Sequence, residues 1–249
     1  MKVHKLTYAL LILVFTTMGL AVGRHQQPRR DQSRENEYLK QQQDNHLRFP
    51  VADYEEKDLP DPKKNEARKE KQKRHDNFKF VAKNPPPWET ESLFVPEGNF
   101  NFPDLPVNAS QLVAVGRVTE ASAHLSADKM NVYSEFVVVL SSVLKTASKE
   151  INENSVLTIE RLGGIVRYPN GQTILFHISG WNMPAVSREY LFFLNSRNRL
   201  DWEIVTAYEL TENGVLPLDE SSQFEALRGK PSMEVLKQVR ALTSEPPAR

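Results

Sequence analysis

Cysteine is absent from this chain of 249 residues, and neither sign of charge is in excess. The missing cysteines exclude disulfides, thiolate metal sites and a cysteine nucleophile. Because 32 basic residues balance 32 acidic ones, no net field would draw the chain to nucleic acid or to an anionic membrane. A folded domain must therefore rest on its own apolar core, which a segment of more than about 100 residues can supply.

The N-terminus has the residue order of a secretory signal. Lys2 and Lys5 precede an uncharged, mostly apolar run from Leu6 to Val22. Ala21 and Gly23 fit a cleavage point before residue 24. The run is also close to the roughly 17 residues that an uncleaved membrane anchor needs. Residues 1–23 are thus predicted to be a signal peptide or a membrane anchor. The remainder is expected to be extracytoplasmic, whether secreted, periplasmic or anchored facing outward.

Residues 24–92 are rich in charged and amide side chains and poor in apolar ones. Such a segment buries too little apolar surface to offset its chain entropy, so a disordered charged stalk is predicted. A basic patch at 63–74 indicates a solvated linker, a short solvated helix or an electrostatic contact for an anionic polymer. His25, His46 and His75 are too far apart for a metal site, and we expect them to be exposed.

Residues 93–109 are predicted to form a proline-rich aromatic arm. The triplet Pro85 to Pro87 marks a stiff step before it. Within the arm, aromatic side chains alternate with prolines such as Pro96 and Pro103. Because proline is excluded from central strands, the arm is expected to pack irregularly against the domain that follows.

Residues 110–245 carry runs of valine, isoleucine and aromatic residues separated by polar turns, which predicts a mainly β domain. The predicted strands are 111–123, 132–144, 155–162, 172–178, 190–194, 202–210 and 215–218. Gly116 indicates a bend or bulge in the first of them. Ser232 can cap a helix that runs to about Leu242 and covers the sheet with its apolar stripe. These elements favour a small antiparallel OB-like barrel with a C-terminal helix over a sandwich.

Several core patterns of this domain resemble a widespread group of exported bacterial proteins, most of them uncharacterised. The patterns are Leu112-Val-Ala-Val-Gly-Arg-Val118, Phe136-Val-Val-Val-Leu-Ser-Ser-Val-Leu-Lys145, Gly163-Gly164 and Arg188-Glu-Tyr-Leu-Phe-Phe-Leu194. The resemblance covers about residues 107 to 243 and implies an OB-like barrel similar in outline to the netrin and tissue-inhibitor-of-metalloproteinase type. In those inhibitors an N-terminal cysteine docks on a catalytic zinc. This chain has no cysteine, so the mechanism carries over to no residue here.

The first functional hypothesis is an exported, non-enzymatic binding or interaction module of the cell envelope. Trp181, Trp202 and Tyr208 are its candidate ligand-binding residues, because aromatic anchors suit a patch that holds an envelope protein or a glycan. The same aromatics would serve equally well as core or rim packing.

The alternatives are a protease inhibitor and a hydrolase. An inhibitor would present the 180–187 loop or the 93–106 arm. A hydrolase would need its acidic and histidine side chains to converge in one pocket, and nothing in their spacing predicts that convergence. The candidates are Asp104, His177, Glu189 and Glu203. We therefore predict a non-enzymatic protein with no catalytic residue, metal or cofactor. We expect no nucleic-acid partner, and membrane contact only through an uncleaved N-terminal segment.

Overall fold

The computed structural model describes residues 49–76, 93–95, 102–178, 180–196 and 201–244. All of them fall within one unit, Asp44–Arg249. The predicted leader, residues 24–48 and 77–92 of the predicted stalk with its triple-proline step, and residues 96–101 of the predicted arm lie outside the described residues. Within the described ranges, none of the helices has the length and apolar character needed to cross a membrane.

The protein is mainly β with a C-terminal helix, as the sequence predicts. The strands are β1 Val51–Asp53, β2 Leu93–Val95, β3 Leu112–Leu125, β4 Val132–Thr146, β5 Val156–Leu162, β6 Gly164–Arg167, β7 Thr173–Ile178, β8 Glu189–Ser196, β9 Trp202–Thr211 and β10 Gly214–Pro217. The helices are α1 Pro62–Arg74, α2 Ser222–Glu225 and α3 Ser232–Ser244.

The larger sheet has six strands in the order β10-β9-β5-β4-β3-β8, and β9 also pairs with β8. Its pairings are antiparallel except that of β5 with β9, where Ile159 lies beside Trp202 in parallel register. This differs from the all-antiparallel prediction. Strands β6, β7 and β8 intervene between β5 and β9, which gives the long connection that a parallel pair requires.

The smaller sheet has four strands in the order β1-β6-β7-β2. Strand β1 pairs in parallel with β6, and β2 pairs in parallel with β7. Segments from the predicted stalk and arm therefore cover both edges of the β6–β7 hairpin, which would otherwise expose unpaired backbone groups. The chain enters this hairpin at Gly163, whose φ of 111° is open to glycine and not to bulkier residues.

Helix α3 covers one face of the larger sheet with the apolar stripe that the sequence predicts. Val235 and Val239 are fully buried in the same apolar cluster as Phe193 and Tyr208. A separate apolar cluster, which includes Phe136 and Phe192, fills the other side of the β3–β8 region. Strand alternation separates the two clusters, because successive side chains of β8 point to opposite faces.

Residues 49–76 differ from the disordered stalk that composition predicts. They form β1 and the helix α1, which begins at an Asp61 cap whose carboxylate accepts a hydrogen bond from the backbone N–H of Lys63 at 3.0 Å. The expectation that His75 is exposed is wrong, since only 5% of it is accessible. Composition measures how much apolar surface a segment can bury, and it does not register charged partners elsewhere in the chain.

Candidate functional site

The aromatic residues predicted to bind a ligand do not form one patch. Tyr208 has no exposed surface, and Trp202 is 8% exposed. They belong to different apolar clusters and lie six residues apart on β9, which is roughly 20 Å along a strand. The hydroxyl of Tyr208 donates to the carbonyl of Asp104. Tyr208 is therefore a core residue in this fold, and the structure does not bring it together with Trp202 as one ligand-binding patch would require.

A small part of the Trp202 side chain is exposed to solvent. Its exposed part borders an open groove whose lining includes Lys145 and Val156. The ammonium of Lys145 is already bound, because it donates to the carbonyls of Val107 and Ser110 at 2.7 Å each. This groove therefore presents neither a free cation at Lys145 nor a stack of aromatic rings.

Trp181 covers a buried ion pair. Its ring lies 4.8 Å from the guanidinium carbon of Arg161, a cation–π distance. Arg161 in turn contacts the carboxylate of Asp219 at 2.8 Å and donates to the carbonyl of Asn182 at 2.8 Å. Met183, also in the 180–187 loop, is 2% exposed. The loop is thus fastened to the sheet by Arg161 and by its own buried methionine.

The hydrolase candidates lie on separate elements. The Asp104 carboxylate accepts from the N–H of Leu105, ahead of β3. His177 is on β7, where its ring meets Phe49 edge-on. Glu189 opens β8 and accepts from the hydroxyl of Ser141 at 3.1 Å. The remaining candidate, Glu203, sits on β9 opposite Glu160 of β5.

The sheet register places three glutamates in one row. Glu135 of β4 is the direct partner of Glu160 on β5, and Glu160 is the partner of Glu203 on β9. Like charges directly opposite each other destabilise a sheet. The row therefore needs a cation at its centre.

Helix α1 supplies that cation. The ammonium of Lys71 forms ion pairs with both Glu135 and Glu160, and it lies 3.3 Å from the carboxylate of Asp201. Arg74 contacts the other oxygen of Asp201 at 2.6 Å. Burial by itself lowers the pKa of Lys71, but the hydrogen bonds to Glu135 and Glu160 outweigh it and raise the pKa above the ordinary lysine value. Lys71 is therefore firmly protonated in the folded protein.

His75, just beyond α1, completes the contact. Its ring stacks on Tyr133 at a centroid distance of 3.9 Å, and its Nε2 lies 3.1 Å from a carboxylate oxygen of Glu160. Burial, with the negative charges of Glu135 and Glu160, raises the pKa of the Tyr133 hydroxyl. In the described part of the chain this buried hydroxyl has no hydrogen-bond partner. We call Tyr133, Glu135, Glu160 and Asp201 together the acidic face.

The β3–β4 connection borders the acidic face and also holds the α1 segment. The N–H of Ala127 donates to the carbonyl of Gln72 at 3.3 Å, and the N–H of Asp128 donates to the Asp76 carboxylate at 2.9 Å. His124 of β3 lies 3.2 Å from Glu56 and 3.6 Å from Glu135. These contacts of β3 and the β3–β4 connection with Glu56, Gln72 and Asp76 lie beside those that the acidic face makes with Lys71, Arg74 and His75.

The arrangement is suited to binding a cationic segment. Each carboxylate of the acidic face meets a cation or an imidazole of the 71–75 stretch. Over the described residues, the acidic and histidine side chains make no group of three or more that could hold a metal ion. The ion pairs themselves make recognition of charge the chemistry that this geometry supports directly.

Sequence reasoning missed the acidic face, although two signals were present. Glu135 and Glu160 each interrupt an apolar strand, and a charged residue within such a strand is an anomaly that calls for a partner. The basic patch at 63–74 was the complementary signal. Of the three interpretations of this patch, linker, short solvated helix or contact for an anionic polymer, the structure shows a helix, and Lys71 and Arg74 of it contact carboxylates of the chain itself.

Comparisons with protein-family models, with the curated proteins and with solved structures gave no match.

Proposed function

We propose that this protein is an exported, non-enzymatic interaction module with an OB-like barrel, and that it binds a partner protein through the acidic face. The observation that carries the proposal is Lys71 held among Glu135, Glu160 and Asp201. A surface that gathers two sheet carboxylates and the loop carboxylate of Asp201 around a lysine from another segment has the chemistry of a receptor for basic peptide.

The strand pairings support the barrel. Strand β9 pairs with β5 on one side and with β8 on the other, and β8 returns to β3. The sequence of pairings β3-β4-β5-β9-β8-β3 thus comes back to its starting strand. Its one parallel pair is β5 with β9. Register shifts in β3 on either side of Val115 supply the bends that a small barrel needs.

The position of the acidic face supports the binding role. OB-like barrels bind ligands on the face of their second and third strands and on the loops that join strands one to two and four to five. In this chain those strands are β4 and β5, which carry Glu135 and Glu160. The corresponding loops contain Asp128 and Asp201, which lie close to α1.

Site-specific photo-crosslinking tests the proposal. A photoreactive phenylalanine at Ser122, the exposed β3 residue opposite Glu135, should give a discrete adduct in extracts of the cells that export the protein. The same group at Met233, which is 71% exposed on α3, is the control and should give none. The adduct should disappear in a Glu135→Gln, Asp201→Asn double variant.

Adducts from the Met233 position alone would move the binding surface to α3. No adduct from either position, together with turnover of ester or peptide substrates by the purified chain, would favour the hydrolase alternative.

A further inference from the structure

We infer that α1 is a displaceable internal ligand of the acidic face, and that the external partner is a basic helical segment that presents the same charges. This inference rests on the proposed function and adds the class of partner and the means of regulation. The bound α1 segment shows which charges the acidic face recognises. Lys71, Arg74 and His75 follow the spacing i, i+3, i+4, which puts them on one side of a helix.

Charge holds α1 to the sheet, with little help from apolar packing. None of its residues is buried, although His75 beyond its end is. The side chain of Arg74 is 44% exposed, and water reaches its ion pair with Asp201. Ion pairs of this kind contribute little and are screened by salt. The ion pairs of Lys71 with Glu135 and Glu160 are largely shielded from water, and the N–H of Ala127 donates to the carbonyl of Gln72. A competing basic segment therefore has to replace these contacts and the stacking of His75 on Tyr133.

The α1 segment also has contacts of its own that survive undocking. Arg68 binds the carboxylate of Glu56 at 2.7 Å, and Lys69 binds that of Asp58 at 2.9 Å. Asp61 caps the first turn. Asp58 and Asp61 lie just ahead of α1 in the chain and move with it, whereas Glu56 also contacts His124 of β3 and gives up that contact when the helix leaves the sheet.

The acidic face itself stays fixed when α1 leaves, because Glu135 and Glu160 belong to strands held by backbone pairing on both sides. Two facing carboxylates then repel each other until a cation returns. The Tyr133 hydroxyl, buried without a partner in the described residues, is a donor that α1 leaves unused. An external segment with an acceptor at that point would bind better than α1 does.

A peptide-binding experiment on the full chain tests the inference. A fluorescent peptide with the sequence of residues 59–76 is titrated with three proteins: the wild type, a Lys71→Glu, Arg74→Glu variant, and a Lys63→Glu, Lys73→Glu variant. The last is the matched control, because it makes the same charge change at exposed positions of the same helix.

The variant reversed at Lys71 and Arg74 should bind the peptide at least about tenfold more tightly than the wild type, since its own helix no longer competes. The Lys63 and Lys73 variant should bind like the wild type. Raising salt from about 20 mM to about 500 mM should abolish binding to every protein. Equal affinity for the two charge-reversed proteins would overturn the inference.

Amide hydrogen exchange on the wild-type chain provides a second test that needs no variant to fold. Amides of α1 should exchange at least about tenfold faster at about 500 mM salt than at about 20 mM, while those of β4 keep their protection. Equal protection of α1 and β4 at both salt concentrations would contradict the inference. Crosslinks from Ser122 without peptide binding would support the proposed function and contradict the inference. Peptide binding without crosslinks would support α1 as a displaceable ligand and contradict the proposed binding of a cellular partner.

Discussion

At the residue scale, a buried ion pair and one glycine hold the larger sheet together. Arg161 and Asp219 form an ion pair in which neither side chain has exposed surface, and Trp181 lies over the guanidinium. Gly116 of β3 lies so close to β4 that a Cβ there would be 2.5 Å from a methyl of Val138 and 3.0 Å from the carbonyl of Val139. The sequence pointed to a bend at Gly116, while the pairing of Arg161 with Asp219 depends on the fold.

Replacing Asp219 with alanine should lower the free energy of unfolding by about 3–5 kcal/mol, because it leaves the charge of Arg161 buried and uncompensated. Denaturant unfolding monitored by tryptophan fluorescence measures the loss. Asp53→Ala is the control, since it breaks the exposed pair with Arg167 and should leave the midpoint nearly unchanged. Equal losses in the two variants would mean that burial adds nothing to the Arg161 pair.

Gly116→Ala should destabilise the protein by about 1–3 kcal/mol, because its methyl group has no room between β3 and β4. Ala121→Ser, at an exposed position of the same strand, should change stability by less than about 0.5 kcal/mol. The thermal unfolding midpoints of both variants, compared with that of the wild type, test the two expected changes in stability. A fully stable Gly116→Ala protein would show that β4 shifts to admit the methyl group.

Elements differ in how much of them the sequence could predict. Strand β4, predicted over 132–144, spans Val132–Thr146, and α3, predicted from Ser232 to about Leu242, spans Ser232–Ser244. Both follow from apolar periodicity, which is a local property. Helix α1 buries no residue of its own, so its place on the sheet depends on carboxylates far away in the chain. The acidic face could not be assembled from sequence for the same reason, because it depends on strand register.

The docking of α1 should depend on pH through Lys71. Its pKa is raised in the folded protein, so its stabilising contribution is complete below the ordinary value of 10.5 and is lost as the pH rises through the higher folded value. The difference in unfolding free energy between wild type and Lys71→Met should therefore be constant at neutral pH and shrink above about pH 10.5. Lys63→Met, at an exposed position of the same helix, should show no such change. A difference that persists undiminished at high pH would mean that Lys71 stabilises the fold by packing alone.

At the scale of the whole molecule, the sequence predicted the fold class but not the structure of residues 49–76 and 93–95. The mainly β class and the C-terminal helix are confirmed. The parallel β5–β9 pair and the placement of β1 and β2 at the edges of the β6–β7 hairpin were not predicted. Short strands such as β1, with three residues, carry too little pattern to be recognised, and their pairing is decided by the hairpin they meet.

Export remains a prediction of the sequence, and the N-terminus of the protein recovered from its producing cells would test it. We expect the mature chain to begin at Arg24, after the small residues Ala21 and Gly23. Mass spectrometry of the intact protein distinguishes this product from a chain that retains its first 23 residues. A retained leader in a membrane fraction would identify the anchor, and a retained leader in the cytosol would contradict export.

The distance in sequence between α1 and the acidic face sets an order of events during synthesis. His75 and its partner Glu160 are 85 residues apart, and Asp53 and Arg167 are 114 apart. A chain made from its N-terminus releases the basic helix well before β5 or Asp201 exists, so the helix has no place to dock until the sheet is nearly complete. Closure of the acidic face is thus among the last steps of folding.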